Sequence, residues 1–338
     1  MWRTALSLAL LAACGGAGDG DSGDDPDQDL FFEREFTGIR VAPATESTGL
    51  CASWRLGNDR PIYVNQVAMD AGAGWHHSNW FFVPEGTFPE DDGVWQCAGE
   101  FDGLSAALAG GVLFAQSTQS TEETQAFQPG AALEVPARSV VVGELHIINV
   151  TEEELETELG LALTALPEEE VVTRLRPLAF DFHQLAIPAQ QRSRFEASCD
   201  MEAGFGGPFD LSIHYVLPHY HRFGTGMDIE MMGGTRDGET IYGIESAIGE
   251  PLGRSMSPPL PMTGARGIRF ACEFDNPTSD PIYFGNHRNA EMCIMLAFTD
   301  SNVAWGGGVL EGSPRLREVT DDGVAVYDGD CSVVAFLR

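Results

Sequence analysis

Residues 139–150 read SVVVGELHIINV, and text of the same kind recurs along the chain. IYVNQVAM at 62–69 and WFFV at 80–83 stand in the first half; FDLSIHYVL at 209–217, IRFACEF at 268–274 and CIMLAF at 293–298 stand in the second. Each is a short apolar stretch bounded by turn residues. Strand-length runs at spacings of roughly 8 to 12 residues, punctuated by Gly, Pro and Asp, indicate sandwiches or barrels. The expected fold is therefore all-β, with two tandem antiparallel β-sandwich (jelly-roll-like) domains. A length of 338 residues suits this, since domains of roughly 150 residues leave room for two cores. So do 39 Gly, 19 Pro and the absence of Lys, which favour turn-rich β architecture over long helices. The one helix candidate is TEEELETEL at 151–159, which opens with a plausible cap but could equally be an acidic loop entering the alternating strand LGLALTAL. No internal repeat is apparent. The polar segment IPAQQRSRFEAS, which follows an acidic stretch, marks the boundary and gives domains at 31–185 and 186–338.

The formal charge is 19 − 51 = −32. That sign opposes binding to nucleic acid or to anionic lipid headgroups, so the expected partners are small molecules. At the N-terminus, Arg3 precedes a short apolar run from Ala5 to Leu11 and the sequence Leu11-Ala12-Ala13-Cys14. The run is too short for a membrane span of about 18 or more apolar residues, and it resembles a bacterial lipobox; an ordinary signal peptide is the plainer alternative. The resemblance implies a lipoprotein signal peptide at 1–14, lipidation of Cys14, and an acidic flexible tether at 15–30. Membrane contact would then be through the lipid anchor alone. Gly15, standing where an aspartate would favour inner-membrane retention, points to the outer membrane of a bacterial cell envelope.

Six cysteines remain after Cys14, at 51, 97, 199, 272, 293 and 331. An even count in an exported chain reads as three disulfides, with 15 pairings open from sequence alone.

Eight histidines carry the chemical information. Strand residues i and i+2 share a face, so His219 and His221 in LPHYHRFG would present two imidazoles side by side as a chelate in need of a third ligand. The adjacent His76 and His77 would face opposite ways on a regular strand and could reach one ion only across a twist or bulge. By default His146 is a core or rim histidine and Met292 core filler. His183, His214 and His287 read as ordinary polar residues, and the sequon at Asn149 carries no weight. The acidic runs at 152–158 and 168–170 read as solvated faces.

WHHSNWFFVPEG, ELHIIN, LPHYHRFG and DNPTSDPIYFGNHRNAEMC occur in that order, with separations of 146 − 77 = 69 and 292 − 221 = 71. Together they resemble the type II, ascorbate-dependent copper monooxygenases, the family of peptidylglycine alpha-hydroxylating monooxygenase and dopamine beta-hydroxylase. The flanking text PGAALEVPARSVVVGELHIINV and GLALTALP adds to the likeness, which is patchy from about residue 50 to 300. It implies two copper ions per chain. An electron-storing ion would be held by His76, His77 and His146, and an oxygen-binding ion by the catalytic set His219, His221 and Met292, facing one another across an interdomain cleft. Imidazoles suit copper in either oxidation state, and a thioether selects Cu(I). The resemblance further implies bridges Cys51–Cys97 and Cys272–Cys293, leaving Cys199 with Cys331.

The implied activity is hydroxylation of a C–H bond with dioxygen and ascorbate or a similar reductant. The family's peptide-amidating member holds its substrate carboxylate with an arginine two before the first histidine of HxH, an asparagine two after the methionine and a tyrosine four after it. Here these positions are Leu217, Ile294 and Leu296, which points to a small neutral substrate. The rival expectations are a non-catalytic copper-binding surface lipoprotein for sequestration, delivery or sensing, and a structural sandwich without metal.

Overall fold

A computed structural model describes residues 30–88, 92–245 and 248–337. Cys14 and the tether up to residue 29 lie outside the described residues.

Strands dominate the regular structure of the described residues. In the first half these are β1 (Phe31–Val41), β2 (Glu46–Arg55), β3 (Ile62–Ala71), β4 (Trp75–Pro84), β5 (Gly93–Gln96), β6 (Gly111–Ala115), β7 (Glu122–Ala126), β8 (Ala131–Val135), β9 (Ser139–Ile148), β10 (Leu155–Leu166) and β11 (Thr173–Arg174). They form two sheets, β1-β10-β3-β8-β11 with β7 paired to β3, and β5-β2-β9-β4-β6. The second half holds β12 (Arg176–Asp181), β13 (Ala186–Ile187), β14 (Gln191–Cys199), β15 (Ser212–His219), β16 (Gly224–Met232), β17 (Thr240–Glu245), β18 (Arg254–Pro261), β19 (Gly267–Asn276), β20 (Ile282–Tyr283), β21 (Ile294–Thr299), β22 (Val303–Gly308), β23 (Arg315–Val319), β24 (Ala325–Asp330) and β25 (Ser332–Leu337). Its two large sheets run β18-β15-β21-β12-β22-β25 and β17-β16-β19-β14-β24-β23, beside a small β13-β20 pair. Most pairings are antiparallel, and each half encloses its own apolar core, as expected for two β-sandwiches.

Three expectations need correction. Sheet partners change at Leu175, ten residues before the boundary placed at 185, because β12 already pairs with β21 and β22. The polar segment taken for a linker is instead β13, a turn and β14, inside the second domain. The helix candidate at 151–159 is a turn followed by β10, whose alternating burial shows period two rather than a helical face. Two short helices do form elsewhere, α1 (Gly103–Ala109) and α2 (Met201–Phe205). Asp102 and Asp200 cap them by accepting the backbone N–H groups of Ser105 and Ala203.

The turn before β10 is built by Asn149. Its side-chain amide donates to the carbonyls of Val41, Ala42 and Glu153, and its Oδ1 accepts from the N–H and hydroxyl of Thr151. The sequon asparagine is thus consumed in a buried turn. Asn276, Thr278 and Asp280 repeat this pattern after β19, a correspondence between the halves that the sequence did not reveal.

The halves meet along an apolar seam. Tyr215, Leu217, Leu296 and Phe298, from β15 and β21, belong to the first domain's core, and Phe127 packs edge-on against Tyr215 and Phe298. The seam accounts for the leucines at 217 and 296, since a charged or hydroxylated side chain there would lose water without a partner. Their apolar character therefore reports the interface and gives no information about a substrate. Polar ties flank the seam: the Leu252 N–H donates to Ser117 Oγ at 2.8 Å, the Thr118 hydroxyl to the Glu250 carbonyl at 2.8 Å, and Gln128 Nε2 to Ser255 Oγ at 3.0 Å. All three expected disulfides are formed, Cys51–Cys97, Cys199–Cys331 and Cys272–Cys293.

Candidate metal centre

β4 and β9 lie side by side with Trp75 opposite Ile147, and one residue later the register slips so that His77 stands opposite His146. The extra residue is His76. This bulge cancels the alternation that would have sent the two neighbours to opposite faces, and the ring centroids of His76 and His77 lie 4.7 and 5.2 Å from that of His146.

From the second domain, His219 ends β15 while His221 lies beyond it, in the turn toward β16. The pair therefore does not share a strand face as expected. His221 is held instead by the segment before β21. Glu291 accepts the backbone N–H groups of His221 and Phe223 at 2.9 and 2.8 Å, and His221 Nδ1 donates to the Ala290 carbonyl at 3.0 Å. The Tyr220 ring packs over Gly224, where a side chain would collide with it. Met292 is buried between Glu291 and disulfide-bonded Cys293, two residues before Ile294, the register partner of His219.

The two histidine sets form one cluster. His77 lies 5.4 Å from His219 and 5.1 Å from His221, His76 lies 4.8 Å from His221, and His219 and His221 are 5.2 Å apart, between ring centroids. Ligand atoms of His76, His77 and His146 fall within 4.8 Å of one another, as do those of His77, His219 and His221. This differs from the expected pair of sites facing across a gap. The apolar seam carries the end of β15 onto the β4–β9 sheet, and His219 Nδ1 donates across the junction to the Gln116 carbonyl at 2.8 Å. Gln116 is itself fixed, its Oε1 accepting from Trp75 Nε1 and the Ser78 N–H.

All five rings are only 2 to 6% exposed. Each leaves one buried nitrogen without a protein partner: Nε2 of His76, His219 and His221, and Nδ1 of His77 and His146. In three of them the second nitrogen is engaged, by the carbonyls of Gln116 and Ala290 and, for His146, by Glu46 Oε2 at 3.3 Å from Nε2. A hydrogen bond at one nitrogen fixes the tautomer and leaves the lone pair on the other, the arrangement found behind metal-bound imidazoles. Burial, reinforced by neighbouring imidazoles, holds His76 down at about 3, and holds His77 and His221 well below the usual histidine range. Burial also lowers His146 and His219. The rings are therefore neutral at physiological pH, as ligation requires. The imidazole donor set fits a late first-row ion.

Sequence reading did not identify Glu46, Gln116 or Glu291. Only Glu291 had a signal, its place beside Met292. Among the remaining histidines, His183 packs at a tilt against Phe284, His214 lies 3.7 Å from Asp300, and His287 is an exposed turn residue. A cavity of about 330 Å³ opens beside His76.

No protein-family model matches the chain, and no curated protein matches it. Among solved structures it is similar to the major capsid protein P2 of bacteriophage PM2, at 6% identity and a TM-score of 0.31, over 80% of this chain and 98% of that one.

Proposed function

We propose that the cluster binds copper and that the protein is a copper-dependent monooxygenase of the type II, ascorbate-dependent kind. It would hydroxylate a C–H bond of a small substrate and be tethered to the bacterial envelope through Cys14. The observation that carries this reading is the set of five buried, unpartnered imidazole nitrogens converging from two domains. The arrangement of motifs along the chain supports it.

Two ions would be held, one by His76, His77 and His146 and one by His219, His221 and Met292. Bound there, copper would supply dioxygen activation and the one-electron steps of hydroxylation, with ascorbate or a similar small reductant restoring it. The chain's own contribution is positioning. Glu46 and the carbonyls of Gln116 and Ala290 aim three of the rings, and the seam excludes water from the inner side of the cluster.

A second reading, copper sequestration or delivery without catalysis, is favoured by the mutual contact of the rings, which leaves little room for a substrate among them. Anaerobic Cu(I) titration, followed by ascorbate-driven oxygen uptake, separates the two. Two ions per chain, with uptake abolished by Met292→Ala while one ion stays bound, is the expected result. Two ions without uptake selects the second reading, and no copper binding overturns both.

A further inference from the structure

The cavity beside His76 has a chemistry of its own. Its rim carries Arg222, Arg288 and Asn289, its wall carries Gln119, and His76 is the cluster residue that borders it. In a chain with 51 acidic side chains most described arginines are ion-paired, yet neither Arg222 nor Arg288 makes an ion-pair contact among the described residues, Arg222 acting on the buried Glu291 carboxyl through its charge. Arg222 instead lies 4.3 Å over the Phe223 ring, with one nitrogen 3.4 Å from Asn289 Oδ1. Glu46, next to this rim, is already committed to the Arg288 backbone N–H and to His146. Gln119 Nε2 is buried with no acceptor. Two unpaired guanidiniums and an orphaned amide donor thus surround a cavity of about 330 Å³, a volume within the range of small-molecule sites. Ile148 and Val150 supply an apolar side.

We infer that this cavity is a docking site for a small organic monoanion, a carboxylate or an enolate, bound by Arg222, Arg288 and Gln119 next to His76. A guanidinium fork matches a planar anion, and the two arginines give a local attraction that the strongly negative protein otherwise lacks. The inference deepens the proposed function, because an anion docked here lies beside the histidine cluster. Its source is either the reductant or an anionic substrate.

The test uses the metal-free full chain under anaerobic conditions, so that its outcome is independent of copper binding. Calorimetric titration with ascorbate and, separately, with gluconate, a carboxylate that is not a one-electron reductant, gives the two arms. Arg222→Gln with Arg288→Gln is expected to weaken binding about tenfold or more, while Arg34→Gln, one positive charge removed at a distance, leaves it unchanged. Binding of ascorbate alone identifies a reductant site. Binding of gluconate identifies a carboxylate site and replaces the neutral-substrate expectation with an anionic one. Absence of binding by both anions, or equal weakening by Arg34→Gln, overturns the inference. A separate Cu(I) titration of the double arginine variant distinguishes this failure from failure of the copper reading.

Discussion

Among the described residues, Glu46 is the one side chain that orients a cluster imidazole; the other two anchors are backbone carbonyls and cannot be mutated away. Glu46→Gln keeps the shape and an acceptor oxygen but removes the negative charge behind His146. Such outer partners typically account for 10- to 100-fold in metal affinity. The contact here is long, 3.3 Å, and the carboxylate is 23% exposed, so solvent screening places the effect near the lower end. On the proposed copper reading, the expected loss is about tenfold, or about 1.4 kcal/mol, confined to the ion assigned to His76, His77 and His146. Anaerobic competition against a Cu(I) chelator, fitted to two affinities per chain, measures it, with the melting temperature of the metal-free variant checking that the fold is intact. If both affinities fall equally, Glu46 acts on the whole fold. If neither changes, the carboxylate does not support a ligand and the assignment of His146 is wrong.

Three further outcomes follow from burial and covalent geometry. Glu123 is buried at the junction with Oε1 unpartnered, and desolvation raises its carboxyl to about 7 from 4.5. A folded-state value above the unfolded one means its stability contribution is complete below pH 4.5 and is lost as pH rises through 7. Glu123→Gln should therefore gain at most about 3 kcal/mol over the parent between pH 5 and pH 8 in urea unfolding of the metal-free chain, and parallel pH profiles would contradict this. Leu217→Ala should cost about 2–5 kcal/mol of stability; a change in substrate KM with stability intact would return Leu217 to a substrate role. Replacing Cys272 and Cys293 together by Ala should lower stability by about 2–4 kcal/mol and, on the proposed reading, weaken the ion assigned to the second domain's ligands. Unchanged copper affinity would show that the bridge does not brace the Met292 segment.

The sequence displayed the fold wherever a local signal was sufficient. Strand runs and turn spacing gave the two sandwiches, but TEEELETEL misled because a cap-like threonine and early glutamates also suit a turn. What decides there is Asn149, two of whose three carbonyl partners, Val41 and Ala42, are distant in sequence. Each histidine of the cluster was legible as a candidate, and so was the need for a bulge at His76–His77. Their convergence was not. It depends on β15 and β21 burying one face in the other domain's core, and in the text those faces are only apolar residues at alternate positions. Leu217 and Leu296 looked like altered substrate contacts for the same reason, since nothing local separates an apolar pocket from an apolar interface.

The cluster's energetics limit what it can be. A buried polar atom without a partner costs about 1–3 kcal/mol, so five such nitrogens together cost about 5–15 kcal/mol, comparable to the whole stability of a typical domain. Polar groups such as Asn149 and Gln116 avoid that cost by engaging their side-chain atoms, while others, among them Glu123 and His214, bear it at a single atom. At the cluster the chain pairs one side of three rings and directs the other sides toward each other. Protonation offers no relief, because five cations cannot share so small a volume, and burial already holds His76 at about 3. A late first-row cation removes the cost by accepting the lone pairs directly, and it stabilises the assembly in proportion to its affinity. The arrangement is costly when empty and favourable when filled, which is the physical reason for treating these residues as a metal centre rather than as a packed core.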